Sequence, residues 1–334
     1  MSEKEKKIYP FSLEISGDKT AWGGESWKLA DLGTIDSVIH TGPLKDNSLS
    51  EVMETYLDKV TGDEAYYLYG RQFPLMVRQL DVTSRTPLWV CPDDEIAAQR
   101  YDALGKSKLW FVAQASPDAE IYLGLKRRLA ASEFYDRCLD SSIFGELNSL
   151  NVKEGDAFVI EPGVPHAAGP GVRIVEVAES SMLDFGISSS DGDEREMLAE
   201  VFDFVKLDAY APVLSDRLHL AETQHFSVSR MNLEQALHIN NGEDGGYSVY
   251  YCLAGSVSVQ TPVEDESGGK RMENLILAAG EAAVVPADNA DFFLVPSSSG
   301  TVLLEILGGK RDILDSYTGE KVDGEGILKK DMSL

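Results

Sequence analysis

Two short stretches carry residue types that could do chemistry. LWVCPDDEIA, residues 88–97, sets Trp89 and Cys91 two apart in a strand-like run that Pro92 ends. GDAFVIEPGVPHAAG, starting at Gly155, places His166 after a strand and a rigid Pro-Gly-Val-Pro turn. A histidine at the mouth of a small barrel could bind a metal or move protons. A cysteine could join it as a zinc ligand. Each residue also has a plainer reading. His166 can be hydrogen-bonded in a barrel wall, and Cys91 can be a small buried hydrophobe. Asp93, Asp94 and Glu95 read as the cap and first turn of a helix.

Strand-like segments must position these residues. LMVRQLDV (75–82), LWFVAQA (109–115), AEIYLGL (119–125), AFVIEP (157–162) and VRIVEVA (172–178) precede an acidic stretch, SSSDGDEREMLAE (188–200). FSVSRMNL (226–233), GYSVYYCLAGSVSVQT (246–261), ENLILAAGEAAVVP (273–286) and FFLVPSSSGTVLLEIL (292–307) follow it. Many short strands at even turn spacing predict sandwiches or small barrels. Leu129, Phe134, Cys138 and Leu139 recur at roughly helical spacing, which predicts one helical insert over residues 126–148. The acidic stretch predicts a loop and a helix to about Val205, capped by Asp191 or Asp193. GDAFVIEPGVPHAAG and GEAAVVPADNADFFL, from Gly280, share a glycine, an acid, an apolar strand, a proline and a turn. His166 falls four residues after Pro162, and Ala290 four after Pro286. This weak repeat predicts two related β-barrels, with a polar site in the first and none in the second. The domains expected are 1–187 with the insert and the site, a helical linker over 188–215, and a barrel over 216–334.

The 334 residues allow roughly two domains. Hydrophobic residues make up 43% and charged residues 26%, ordinary for a globular protein. The net charge is −26, which argues against nucleic acid and anionic membrane surfaces as partners. Any phosphate site must therefore be locally basic. Cys91, Cys138 and Cys252 are far apart and odd in number, so a reducing cytoplasm fits better than a disulfide framework. The sequence shows neither a signal-peptide core nor an apolar run long enough for a transmembrane helix.

Several motifs, in order and spacing, resemble class I mannose-6-phosphate isomerases. They are TAWGGESWKLADLGTIDSVIHTGPLKDNSLSEV (20–52), FPLMVRQLDV (73–82), VCPDDEIAAQ (90–99), LGKSKLWFV (104–112) and GDAFVIEPGVPHAAGPG (155–171). LAETQHFSVSRM (220–231) and the Gly-Glu…Val-Pro-Ala segment are similar to that family's second barrel. The resemblance covers nearly the whole chain. It implies a mainly β, double-cupin fold of two jelly-roll-like barrels with a helical insert. It also implies a zinc-dependent aldose–ketose isomerisation between mannose 6-phosphate and fructose 6-phosphate.

The same resemblance exposes departures. The family's zinc-binding Gln-Val-His-Pro motif is Trp89-Val90-Cys91-Pro92 here, and its Gly-Lys-Thr-Glu motif is Gly105-Lys106-Ser107-Lys108. Only the Gly-x-x-His-Ala histidine is kept, as His166. The family's active-site arginine falls at Gly186, a lysine has become Arg78, and a serine has become Pro87. A thiol can replace an imidazole on zinc, but a protonated amine repels the ion and offers it no lone pair. Cys91 and His166 are then the only metal ligands left, and no zinc is expected unless the family site persists in altered form. Three functions follow. An isomerase with altered ligands would use Lys108 as a fixed cation and Glu176, Glu179 or His166 as base. A non-catalytic binding protein would hold a sugar or sugar phosphate through Arg78, Lys108 and Trp110, with Trp89 as a stacking surface. A scaffold would use Trp89 and Cys91 to complete a collapsed core.

Overall fold

The computed structural model describes residues 7–188, 192–242, 245–264 and 270–309. Among these, no helix is long and apolar enough to cross a membrane. The chain forms two compact units, neither continuous in sequence. Glu14–Ser37 and Leu75–Ala221 make one; Met1–Leu13, Val38–Pro74 and Glu222–Leu334 make the other. The expected 1–187 domain therefore needs correction. Residues 7–13 and 38–74 belong with the C-terminal barrel, where Phe11–Ser12 pairs with Ala282–Val285. Three helices in that segment were also unanticipated: Leu49–Tyr56, Asp58–Thr61 and Asp63–Tyr69. The first opens on a capping box between Ser48 and Glu51.

The first unit is a sandwich of two antiparallel sheets. One runs Ser16–Thr20, Gly23–Leu29, Leu75–Val82, Val172–Glu179, Lys108–Ala115, Ala157–Ile160. The other runs Phe185–Gly186, Trp89–Val90, His166–Ala168, Glu120–Leu125, Leu147–Asn151. Alternation aims Leu80, Trp110, Val112 and Ile174 of the first sheet at Trp89, Ile121, Leu123 and Ala168 of the second. The back of the second sheet, through Val90, Leu125 and Ala167, is covered by helix Ala131–Leu139 and by Leu198 and Val201. The helical insert is thus present, with Phe134 and Cys138 buried. The segment read as a linker carries helix Gly192–Glu200 and packs as part of this unit. Asp191 and the side chain of Asp193 lie outside what the structure describes.

The second unit repeats this architecture. Phe226–Leu233, Thr301–Gly308, Ser248–Ala254 and Ala282–Val285 pair in that order, as do Leu237–Asn240, Asp291–Pro296, Ser256–Glu264 and Lys270–Ala278. The short sequence repeat marks equivalent turns. Gly155 and Gly280 both sit at φ 90. Gly155 N donates to Val112 O at 2.9 Å and Gly280 N to Cys252 O at 2.8 Å. Register extends the match across the sheets: Trp110, Glu176 and Arg78 lie abreast in one barrel, Tyr250, Glu305 and Ser229 in the other. The second barrel therefore has a polar interior group after all, because Tyr250 Oη donates to Glu305 Oε1 at 2.9 Å.

Among the described residues, no atom beyond its chain neighbours lies within 4 Å of a Cβ placed on Gly280, so its left-handed backbone sets the cost of substitution there. Gly280→Ala is expected to lose about 1–2 kcal/mol, read as a lower urea midpoint at unchanged slope. An unchanged midpoint would count against the turn geometry.

Candidate functional site

Two rows of cross-strand neighbours meet between the sheets of the first unit. One holds Trp27, Arg78, Glu176, Trp110 and Phe158 side by side. The other holds Gly186, Trp89, His166 and Leu123. Strand alternation then puts Lys108 two residues before Trp110 on the same inner face, and Cys91 two residues beyond Trp89. Pro92 ends that strand, and Asp93 caps helix Asp94–Tyr101 by accepting from Ile96 N at 3.0 Å. The helix start fixes the lysine segment too: Gly105 N donates to Asp94 Oδ1 at 3.1 Å, and Lys106 N to Pro92 O at 3.0 Å.

The result is a buried charge cluster. Arg78 donates through Nε to Glu176 Oε1 at 2.8 Å, and through its NH2 nitrogen to Asp184 Oδ2 at 2.9 Å. Lys106 Nζ donates to the same Asp184 oxygen at 2.6 Å and to Ser181 O at 2.7 Å. Lys108 Nζ donates to Asp184 Oδ1 at 2.5 Å and lies 3.5 Å from Glu176 Oε2. Trp110 Nε1 donates to that Glu176 oxygen at 2.7 Å, and Cys91 Sγ approaches Asp184 Oδ1 at 3.1 Å. Glu25 reaches Arg78 at 3.4 Å. Lys108 and Glu176 are each 0% exposed. Three cations and three carboxylates balance, which is the condition for burying them together.

Burial and neighbours set the protonation states. Burial works against the charges on Glu176 and Asp184, but Arg78, Lys106 and Lys108 outweigh it. Glu176 is held down to about 2 and Asp184 well below the carboxylate range. Burial likewise opposes the Lys108 charge, yet Asp184 and its neighbours raise its pKa above the ordinary lysine value. At Lys106 burial prevails and the pKa falls. Burial pushes the Cys91 thiol up to about 12. Burial and the Lys108 charge push His166 down to about 3, so its imidazole is neutral.

An aromatic wall closes the remaining space. Trp89 stands edge-on to Trp22 and Trp110 at 5.9 and 6.4 Å, and 6.2 Å from His166. Arg78 and Lys108 sit over the Trp89 ring at 5.8 and 5.9 Å. Trp89 faces Gly186 across the strand pair, and a Cβ on Gly186 would come 3.3 Å from Pro87 Cβ. Pro87 thus borders the space a side chain at 186 would take, while the Trp89 indole packs among Trp22, Trp110 and His166.

The candidate site residues read from the sequence lie in or beside this cluster. Trp89, Cys91, Lys108 and His166 converge, with Arg78, Trp110 and Glu176 around them; Glu179 lies at the edge and accepts from Ser107 N at 2.9 Å. Sequence reasoning missed Asp184, Lys106 and Glu25. Lys106 stood in the quoted Gly-Lys-Ser-Lys segment, two residues before Lys108, where alternation could have found it. Asp184 lies in an irregular stretch with no local signal.

Groups that could hold a metal are present. Cys91, His166 and Asp184 each offer one donor atom, all within 4.8 Å of one another. His166 Nδ1 lies 2.9 Å from Val164 O, and its Nε2 is buried with no hydrogen-bond partner among the described residues. The other two donors are engaged as placed. The Lys108 ammonium holds the Asp184 oxygen, and Cys91 keeps its proton.

Comparison with known proteins places these findings. No known protein-family profile matches the sequence. The mannose-6-phosphate isomerase ManA of Bacillus subtilis is 28% identical over 240 residues, covering 67% of this chain and 73% of its own. YvyI and GmuF of the same organism are 28% identical over 193 and 196 residues, and the chain spans about three fifths of their length, 58% and 59%. Among solved structures, the mannose 6-phosphate isomerase of Bacillus subtilis superposes with a TM-score of 0.73 over 90% of this chain at 19% identity, which establishes the shared double-cupin fold.

Lys108→Met is expected to cost about 3–5 kcal/mol by leaving buried carboxylates uncompensated. Lys108→Met with Asp184→Asn should cost less than the sum of the single changes; additive losses in denaturant titrations would argue against the cluster. The pH dependence has a definite sign. Unfolded His166 takes up a proton near 6.5 and folded His166 only near 3, so folding loses stability as pH falls through that window. Glu176 adds a further loss from 4.5 down to about 2. His166→Gln should flatten the stability profile between pH 6.5 and 4.5, measured by urea midpoints; an unaltered slope would remove His166 as its source.

Proposed function

As the chain is a divergent member of the class I, cupin-type mannose-6-phosphate isomerase family, we propose that its zinc-dependent interconversion of mannose 6-phosphate and fructose 6-phosphate is reduced or lost. One observation carries this reading: the Lys108 ammonium, at the position of a motif carboxylate, lies 2.5 Å from Asp184 and 3.5 Å from Glu176. The isomerisation needs a base beside the sugar carbonyl and positive charge for the enediolate. Zinc, when bound, supplies that charge as a Lewis acid. Here the donor set does not fit zinc. Two of its three members are committed, one to an ammonium and one to its own proton. Of the candidate bases, Glu176 is committed to Arg78 and Trp110, Glu179 is buried and accepts from Ser107 N, and His166 is closed off beneath Trp89. Gly186 puts no cation where the family has its arginine.

The candidate substrate contacts support the same reading. Lys108 and Trp110 are fully buried, and Arg78 and Trp89 keep 6% and 7% exposure. A sugar phosphate would have to displace the aromatic wall to reach them. In the alternative of a non-catalytic sugar-binding protein of the cytoplasm, the ligand would meet Arg78 and Trp89 first, because they are the contacts with any exposure.

Metal analysis of protein purified without added metal, paired with an isomerase assay, tests this. The expected outcome is negligible zinc and no turnover above the buffer rate. Zinc at about one per chain, lost together with turnover in His166→Ala, would overturn the reading. Trp89→Gln combined with Cys91→His and Lys108→Glu should bind zinc yet stay slow, because position 186 still lacks its arginine.

A further inference from the structure

We propose that strand Lys270–Ala278 is a self-association edge, through which a second copy of this chain adds an antiparallel strand about a twofold axis at Asn274. The strand is the outermost of its four-stranded sheet, and among the described residues no strand pairs with its free side. It is nine residues long, whereas the seven other outermost strands of the described sheets have two to five. A long free edge is what folded proteins ordinarily shorten, cover or interrupt. The outward face of this one carries Ile276 at 65% exposure and Met272 at 44%.

The backbone points outward along this edge. Ser256 O accepts from Ser297 N at 2.8 Å and Ser256 N donates to Ser298 Oγ at 3.0 Å, so both groups are turned away from Ala278 opposite. Ala278 is turned away as well: its N–H donates to Glu281 Oε2 at 2.8 Å, and its carbonyl accepts from Glu281 N at 3.1 Å. Antiparallel pairing alternates, so Ile276, Asn274 and Met272 also direct their N–H and C=O groups to the free side. Pro262, which has no N–H to give, sits opposite Met272, a position where that alternation asks for none.

The edge is complementary to itself. Antiparallel pairing about Asn274 sets that residue against its own copy, and Met272 against Ile276 of the second copy. Each of these residues then exchanges both backbone hydrogen bonds, and the two exposed apolar side chains cover each other on one face. The same register brings the Lys270 position opposite Ala278, where the Glu281 carboxylate of the second copy closes the edge. A base thus meets an acid at each end of the contact, and Glu281 blocks registers displaced beyond Ala278. Within the strand Arg271 donates to Glu273 Oε1 at 2.5 Å, so the edge has no surplus of negative charge in a chain of net charge −26. Two such acidic copies repel each other least where the surface is locally balanced.

The test is sedimentation of the full-length protein over a range of concentrations, at moderate salt to screen the net charge. The expected species is a reversible dimer of twice the chain mass. Asn274→Pro removes the N–H aimed at the second copy and none of those shared with strand Ser256–Glu264. Ile276→Lys places a charge on the same edge. Each should weaken the dimer about tenfold or more, with the circular dichroism unchanged. A chain carrying Asn274→Cys, its three native cysteines being buried, should be joined into a covalent dimer by a short bis-maleimide, because residue 274 meets its own copy on the axis. A monomer up to about 1 mM overturns the inference, whether the edge is then covered by another part of the chain or left for an extended peptide. So does a dimer that both substitutions leave intact, an assembly larger than a dimer, or a dimer that Asn274→Cys does not crosslink. If neither Asn274→Pro nor Ile276→Lys folds, the crosslink decides alone.

Discussion

The Asp184 carboxylate accepts from Arg78, Lys106, Lys108 and Cys91, so among the described residues it is the anion that the three cations of the cluster share as a hydrogen-bond acceptor. Its two oxygens divide the work: Oδ2 takes Arg78 and Lys106, Oδ1 takes Lys108 and Cys91. Glu176 is held between Arg78 and Trp110 in a strand, so its geometry is set by the sheet. Asp184 precedes the short strand Phe185–Gly186, its N–H donates to Met182 O at 2.8 Å, and its carboxylate is held by the cations. Burial of three positive side chains in a barrel interior is tolerable only while that arrangement stays intact. The closed site, the neutral histidine and the protonated thiol all depend on it.

Much of the fold was legible because strands advertise themselves locally. Leu75–Val82 and Phe226–Leu233 match their sequence runs end to end, and the Asp93 cap was readable from three acids behind a proline. The same alternation explains Trp89 and Cys91: two residues apart, they must share a face. What was not legible is what depends on long-range closure. Asp184 meets its partners 76 to 106 residues away. Phe11–Ser12 joins a strand at Ala282–Val285, so no local pattern could assign residues 7–13 to the C-terminal unit. The polar pair in the second barrel was overlooked because the repeat was followed along one strand only. Tyr250 and Glu305 lie on strands that become neighbours only in the sheet.

Individual departures from the family motifs read as losses when taken one at a time. In the structure they form two matched sets. Pro87 borders the space that a side chain at Gly186 would take, on the strand that pairs with Trp89. Lys108 supplies charge to Asp184 and Glu176. A change that restores one motif position alone must therefore disturb a packed or paired neighbour, and several positions have to move together to change what the site binds.

The duplicated architecture gives this chain a comparator of its own. At the places occupied by Arg78, Lys108 and Trp110 in one barrel, register assigns Ser229, Ser248 and Tyr250 in the other. That half holds its sheets together around Tyr250, Cys252, Val257, Phe292 and Leu303, with a hydroxyl-to-carboxylate contact where its sibling has an ionic knot. The scaffold therefore does not require the knot. The ionic cluster of the first barrel is an addition to a frame that closes without one, and the plainer half records in the same polypeptide which residues such a frame accepts at the places where its sibling lodges Arg78 and Lys108.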